Sequence, residues 1–343
     1  MLSIENLETE LKQNKINGLY LLYGEEIFLL ESNLKKIKSI FGECIQGINY
    51  IQIDEQNVSE IIADIETPSF GYPKKLIIAR NTGIFKSEGK RKIKEISDLK
   101  EKLNTYISEN IKIINESIVL VFVEEEVDAR SNLFKTIDKN GIVCKFDLQK
   151  PFQIENRLKK ICNAYKVNID SKTINYLIEC CGTNMQDLIN EIRKLIEYAG
   201  ENGTIKKEDI DKLATKKAES VIFDLTDDLG RKDISNAIEV LHNLVYDGQS
   251  LQGILVMLYN HFKRIYITKI ATEKNKDAIT YLNLKPNQTF LINKYKNQAR
   301  FFKENDLRKI LQELCDLDFN YKNGKIDLQI GMETILCEYC SNI

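Results

Sequence analysis

Tryptophan is absent from the chain, histidine occurs twice, and no stretch approaches the roughly 18 consecutive apolar residues that a membrane-spanning helix requires. Each shortage excludes something. The missing tryptophan accompanies abundant lysine, isoleucine and asparagine, which reflects base composition and carries no functional content. With only His242 and His261, both on predicted helices among apolar residues, no serine–histidine–aspartate or cysteine–histidine constellation can be assembled. Charge of one sign is lacking too. Lysine and arginine number 49 against 51 aspartates and glutamates, a net charge of −2, so the chain is not basic throughout and any nucleic-acid contact must be local. The N-terminus "MLSIENLETELKQNK" has no apolar signal core, which predicts a cytoplasmic protein whose eight cysteines remain thiols. Cys337 and Cys340 form the lone C-x-x-C, half a zinc site without a second pair, and are read as packing thiols on a terminal helix; no metal and no cofactor are expected.

What is present is alternation. The chain has 343 residues, enough for two or three domains. Up to about residue 150, short apolar runs alternate with amphipathic helices. Strands are predicted at "GLYLLYG", "NYIQID", "KKLIIAR", "SIVLVFV" and "VCKFD". Helices are predicted over Glu26–Phe41, Val58–Thr67 and Ser97–Asn110, and near "NLFKTIDKN". Continuous apolar strands separated by helices imply a mostly parallel sheet covered on both faces. After Pro151 the strand pattern ends. Three helices are predicted to about Gly200, the last with Thr183 and Gln186 at capping-box spacing and Gly200 as C-cap. A basic join, "KLATKKAES", leads to a predicted bundle of about five helices, one carrying Leu251, Ile254, Leu255, Leu258, Phe262 and Ile265 at helical spacing.

The first strand–turn–helix is where a phosphate-binding loop would sit. Counted from Gly24, that loop needs glycine at Leu29, lysine at Leu30 and a hydroxyl residue at Glu31, and has none of them. Glu25 and Glu26 add negative charge at the helix N-terminus, where they are expected to cap the helix and repel a nucleotide. The strand end "VLVFVEEEVD" resembles a Walker B strand, with Glu124, Glu125, Glu126 and Asp128 as conceivable magnesium ligands. Without the loop, a solvated strand end is the favoured reading. Basic residues gather at Lys90, Arg91, Lys92 and Lys94 and again near Tyr321, Lys322 and Lys325, the latter preceded by Arg300, Lys303, Arg308 and Lys309. The first cluster reads as a solvated face. The second is a weak candidate for a nucleic-acid backbone and base. One feature stands out from this inventory: in "TPSFGYPKKLIIARN" a large ring, Phe70, sits in a turn made irregular by Pro68, Gly71 and Pro73.

In order and spacing, these pieces resemble the delta subunit of the bacterial DNA polymerase III clamp loader over nearly the whole length. The resemblance rests on "YLLYGEEIFLLES", "TPSFGYPKKLIIARN", "VDARSNLFKTIDKNG", "LINEIRKLIEY" and "ESVIFDLTDDLGRKD". It implies a degenerate P-loop, AAA+-like α/β domain over 1–149 that contacts the sliding clamp. A small three-helix lid would follow over 150–215 and a helical collar for oligomerisation over 216–343. The partners it implies are the sliding clamp (beta), loader subunits of the tau/gamma and delta-prime types, and primer–template DNA within the complex, with no membrane. It implies a subunit of DNA replication that does not hydrolyse ATP, although the family is filed with DNA-directed DNA polymerase. Clamp contact would come from the turn of Pro68, Ser69, Phe70 and Tyr72, with Phe70 as the projecting ring and Ser69 where an apolar residue is common. Tyr321, Lys322 and Lys325 would lie near DNA. An active P-loop ATPase or a non-catalytic DNA-binding scaffold remain the alternatives.

Overall fold

The five apolar runs become five parallel strands: β1 (Leu19–Tyr23), β2 (Tyr50–Ile53), β3 (Lys75–Arg80), β4 (Ile118–Glu124) and β5 (Ile142–Lys145), in the spatial order β2-β3-β4-β1-β5. The computed structural model describes residues 1–87, 94–282, 284 and 288–341. It divides into two units, Met1–Leu148 and Gln149–Ile343, and the sheet belongs to the first. Side chains alternate across a strand, and here they supply two cores. Leu19, Leu21 and Tyr23 of β1 join Leu120 and Phe122 of β4 on one face, under α3 (Ile61–Glu66), α4 (Lys94–Ser117) and α5 (Asn132–Asn140). Tyr20, Leu22, Val121 and Val123 face the other way, against α1 (Ile4–Lys12) and α2 (Ile27–Phe41). Burial on both faces is why β1 and β4 read as unbroken apolar runs.

Two elements differ from the sequence reading. The N-terminal segment folds as α1, started by Ser3, whose hydroxyl oxygen accepts from the Asn6 amide. The helix predicted over Ser97–Asn110 runs on to Ser117, with a kink at Asn110 (φ −110°, ψ 16°). There the Asn110 side-chain amide donates to the Tyr106 carbonyl (3.0 Å), the acceptor that the backbone ladder would use, so the helix bends without ending.

In the second unit, the described residues form helices and no strand beyond a single bridge between Asn168 and Thr204. First come α6 (Pro151–Ala164), α7 (Ser171–Cys181) and α8 (Met185–Ala199), and then a short fourth helix, α9 (Lys207–Leu213), beyond the three expected there and overlapping the basic join only at Lys212 and Leu213. The cap of α8 is also corrected: Asn184, not Thr183, accepts from the backbone of Asp187 (3.1 Å), one residue later than the capping-box spacing suggested. Gly200 closes the helix at φ +71°, as expected of a C-cap glycine. The rest comprises α10 (Ala218–Gly230), α11 (Ile234–Tyr246), α12 (Leu251–Glu273), the single turn α13 (Ile279–Leu282), α14 (Leu291–Gln298), α15 (Glu304–Lys322) and α16 (Leu328–Ser341). Ile254, Leu255, Leu258, Phe262 and Ile265 of α12 are buried at the centre of this bundle, on the predicted stripe.

Candidate functional site

The turn after β1 packs closely against the backbone at the end of β5. Gly24 has φ +128°, and a Cβ there would stand 2.4 Å from the Phe146 carbonyl oxygen. That oxygen accepts from the Glu26 amide (2.8 Å), so the N–H that opens the helix already has a partner. Leu29 and Leu30, at the positions a P-loop gives to glycine and lysine, are buried in the core beneath α2. Glu31, at the hydroxyl position, is paired with Arg80 (2.5 Å). Glu26 holds the N-cap position of α2, yet its side chain makes no capping bond and is buried, which corrects the expectation that the carboxylates cap this helix. Glu25 is exposed.

The end of β4 also departs from expectation. Glu124 is not solvated: it is 2% exposed, and its Oε1 accepts from the Thr82 amide (2.9 Å) and hydroxyl (2.6 Å). Burial pushes its carboxyl above the usual range, and the Thr82 bonds pull the other way. Asp128 accepts from the amide and guanidinium of Arg130 (3.0 and 3.1 Å), and those bonds hold its carboxyl below the ordinary value. Glu124 thus fastens the loop after β3, and among the described residues no group of three histidine, cysteine or acidic side chains gathers as a metal site.

The turn between α3 and β3 has the opposite character. Phe70 is 89% exposed. The turn beneath it is ordered nonetheless: the Ser69 hydroxyl donates to the Tyr72 carbonyl (2.7 Å), Gly71 takes φ +77°, and the Tyr72 hydroxyl reaches Glu43 (3.4 Å). The Thr67 amide and hydroxyl both return to the Ala63 carbonyl (3.0 and 2.8 Å). Lys75, which the sequence reading passed over as a strand flank, is only 2% exposed, and its amine donates to the carbonyls of Asp64 (2.8 Å) and Thr67. Its signal in the sequence was a lysine joined without a break to "LIIAR". The ring is therefore held out on a fastened turn and takes no part in the core.

The remaining candidates are partnered locally. The Tyr321 hydroxyl accepts from Gln252 (2.9 Å), Lys322 pairs with Asp318 (2.7 Å), and the Lys325 amine stands 5.9 Å from the centre of the exposed Phe319 ring. Arg308 pairs with Glu304 and donates to the Tyr266 hydroxyl. Lys90, Arg91 and Lys92 lie outside the described residues, and Lys94 opens α4. Cys337 and Cys340 do lie on the terminal helix α16, the first exposed and the second buried. His242 bonds Glu333 (2.8 Å) at the surface. His261 is buried, its Nε2 at 2.9 Å from both the Thr226 hydroxyl and the Gln298 side-chain oxygen. The described helices include none long and apolar enough to cross a membrane.

Comparison with known proteins agrees with this arrangement along most of the chain. Residues 20–147 match the family model described as DNA polymerase III, delta subunit, and residues 219–339 match that of the DNA polymerase III delta subunit, C-terminal domain. The chain is 23% identical over 334 residues to DNA polymerase III subunit delta of Bacillus subtilis (strain 168), covering 96% of this chain and 94% of that one. It is 28% identical over 305 residues to the probable DNA polymerase III subunit delta of Aquifex aeolicus (strain VF5), covering 87% and 84%. Among solved structures it is similar in fold to the Bacillus subtilis DNA clamp loader delta protein, with a TM-score of 0.72 at 21% identity over 99% of this chain and 100% of that one.

Proposed function

This chain belongs to the delta subunit family of the DNA polymerase III clamp loader, and we propose from that premise that its first unit docks on the ring-shaped sliding clamp (beta) and favours an opened ring. The observation that carries the proposal is Phe70, 89% exposed at the tip of a hydrogen-bonded turn. Pro68 and Tyr72 complete the contact around it, and Ser69 lies in the same turn. Burying an aromatic ring is worth roughly 1.5–3 kcal/mol, and truncating a central anchor costs about 2 kcal/mol or more, so one ring can dominate a small interface.

A ligand shifts a two-state equilibrium only by its differential affinity for the two states. In this reading the turn binds the opened or relaxed clamp edge better than the closed one. Loader subunits of the tau/gamma and delta-prime types bind ATP and control when Phe70 is accessible, because this chain neither binds nor hydrolyses the nucleotide. Supporting that division of labour, the turn at Gly24 is occupied by the Phe146 carbonyl and the lysine position by the buried Leu30. Residues 150–215 and 216–343 serve as lid and collar, the collar joining the other subunits around primer–template DNA. Tyr321, Lys322 and Lys325 lie near that DNA, with the Asp318 pair weakening the pull of Lys322 on phosphate.

Co-elution tests the reading. The purified chain is expected to migrate with its own organism's sliding clamp in size-exclusion chromatography, and Phe70→Ala to elute apart from it. A fluorescent ATP analogue is expected to show no saturable binding to either. Saturable nucleotide binding, or a complex indifferent to Phe70, contradicts the proposal.

A further inference from the structure

A lysine amine is rarely buried unless it is paired, yet the buried Lys75 amine is spent on two main-chain oxygens, those of Asp64 and Thr67. Both belong to the end of α3: Asp64 lies in its last turn and Thr67 is its C-cap. A helix leaves its final carbonyls without intrahelical partners. Here the Thr67 amide and hydroxyl take the Ala63 carbonyl, and one ammonium reaching over from the first residue of β3 takes two others. Burial lowers the proton affinity of the Lys75 amine, while the nearby Asp64 carboxylate raises it. Phe70 stands three residues beyond Thr67. Across the tip, the Ser69 hydroxyl donates to the Tyr72 carbonyl, closing the loop over Phe70 and Gly71. The turn is therefore fastened at its base by Lys75 and at its tip by Ser69, while the ring between them stays exposed.

We infer that Lys75 and Ser69 are positioning residues for clamp docking, fixing the direction in which the turn presents Phe70 without supplying the apolar contact themselves. The inference rests on the reading of Phe70 as the anchor. Its physical content is preorganisation: a loop ordered before binding does not lose that freedom when it docks. It also gives the Ser69 hydroxyl a role in the turn. The serine supplies no hydrophobic contact, and its hydroxyl closes the turn.

The test is a set of clamp-binding isotherms on the full chain: intact, Phe70→Ala, Lys75→Met, Ser69→Ala, and each of the last two combined with Phe70→Ala. Lys75→Met is expected to weaken binding about tenfold and Ser69→Ala about threefold, the scale of ordering one or two side chains on association. In the Phe70→Ala background both losses are expected to disappear, because no ring remains to be positioned. Urea unfolding accompanies each variant, and if Lys75→Met does not fold, the Ser69→Ala pair decides. Losses that persist unchanged without Phe70, or no loss from Ser69→Ala, overturn the inference while the anchor reading stands. If Phe70→Ala itself binds as the intact chain does, the anchor reading falls and the positioning role falls with it.

Discussion

Gly24 governs what the first strand-to-helix turn is able to hold. Its φ of +128° and the 2.4 Å approach of the Phe146 oxygen leave no room for a side chain. Gly24→Ala is accordingly expected to lower the unfolding free energy by about 2 kcal/mol or more, through left-handed strain and displacement of Phe146, as read by urea denaturation. Wild-type stability would mean that the turn relaxes freely and is not packed as described. At this scale the sequence was partly legible. The missing lysine and hydroxyl at Leu30 and Glu31 were visible in the spacing, and the oddity of Phe70 in the company of its prolines and glycine. Lys75 and Glu124 were not, because a charged residue at a strand end looks solvated until its neighbours are known. Glu124 finds Thr82 and Lys75 finds two carbonyls, partners 42, 11 and 8 residues away along the chain.

Helices with one buried face carried a periodic signal and strands buried on both faces an unbroken apolar one; features defined by a single polar contact carried neither. The stripe on α12 predicted its buried side, and His261 is buried on the same helix. That histidine is the centre of a polar cluster: its Nε2 meets Thr226 and Gln298, and the Gln298 amide donates to the Phe223 carbonyl (3.0 Å) and Asp227 (2.7 Å). Burial lowers the imidazole to about 4, with nearby Arg264 acting in the same direction and the Gln298 bond against it. The unfolded chain then binds more protons than the folded one between the ordinary value of 6.5 and about 4, so stability rises with pH through that window. The stabilisation is present above pH 6.5 and is lost as the pH falls towards 4. Between pH 7.5 and 5 the loss from this group is expected to be about 2 kcal/mol. Urea unfolding of the intact chain and of His261→Gln at both values checks it: the variant's stability is expected to depend less on pH, by about that amount. Equal pH dependence in the two would contradict a neutral, buried His261. The kink at Asn110 and the cap at Asn184 were missed for a related reason, since asparagine near a helix end in the sequence does not reveal which carbonyl or amide its side chain will take.

On the scale of the whole chain, strand–helix alternation followed by helices alone gave the class of each half, and the structure divides at Leu148, close to where the alternation stops. The second half was less legible in detail, with the short, polar α9 absent from the three helices expected before the join and several bundle helices carrying mixed faces. A fragment ending at Leu148 contains the complete sheet and both of its cores. It is expected to unfold cooperatively and to bind the sliding clamp within about threefold of the full chain, a fragment-level measure of where the anchor resides. A folded fragment without affinity would move the clamp contact into Gln149–Ile343. The central claim, that Phe70 is the clamp anchor, is tested most directly by calorimetric titration of the sliding clamp with the full chain and with Phe70→Ala. Because Phe70 is almost wholly exposed, the variant should fold with stability changed by no more than about 0.5 kcal/mol, so a change in affinity reports the contact itself. The account predicts micromolar or tighter binding by the intact chain and a loss of about 30-fold or more in the variant; equal affinities would contradict it.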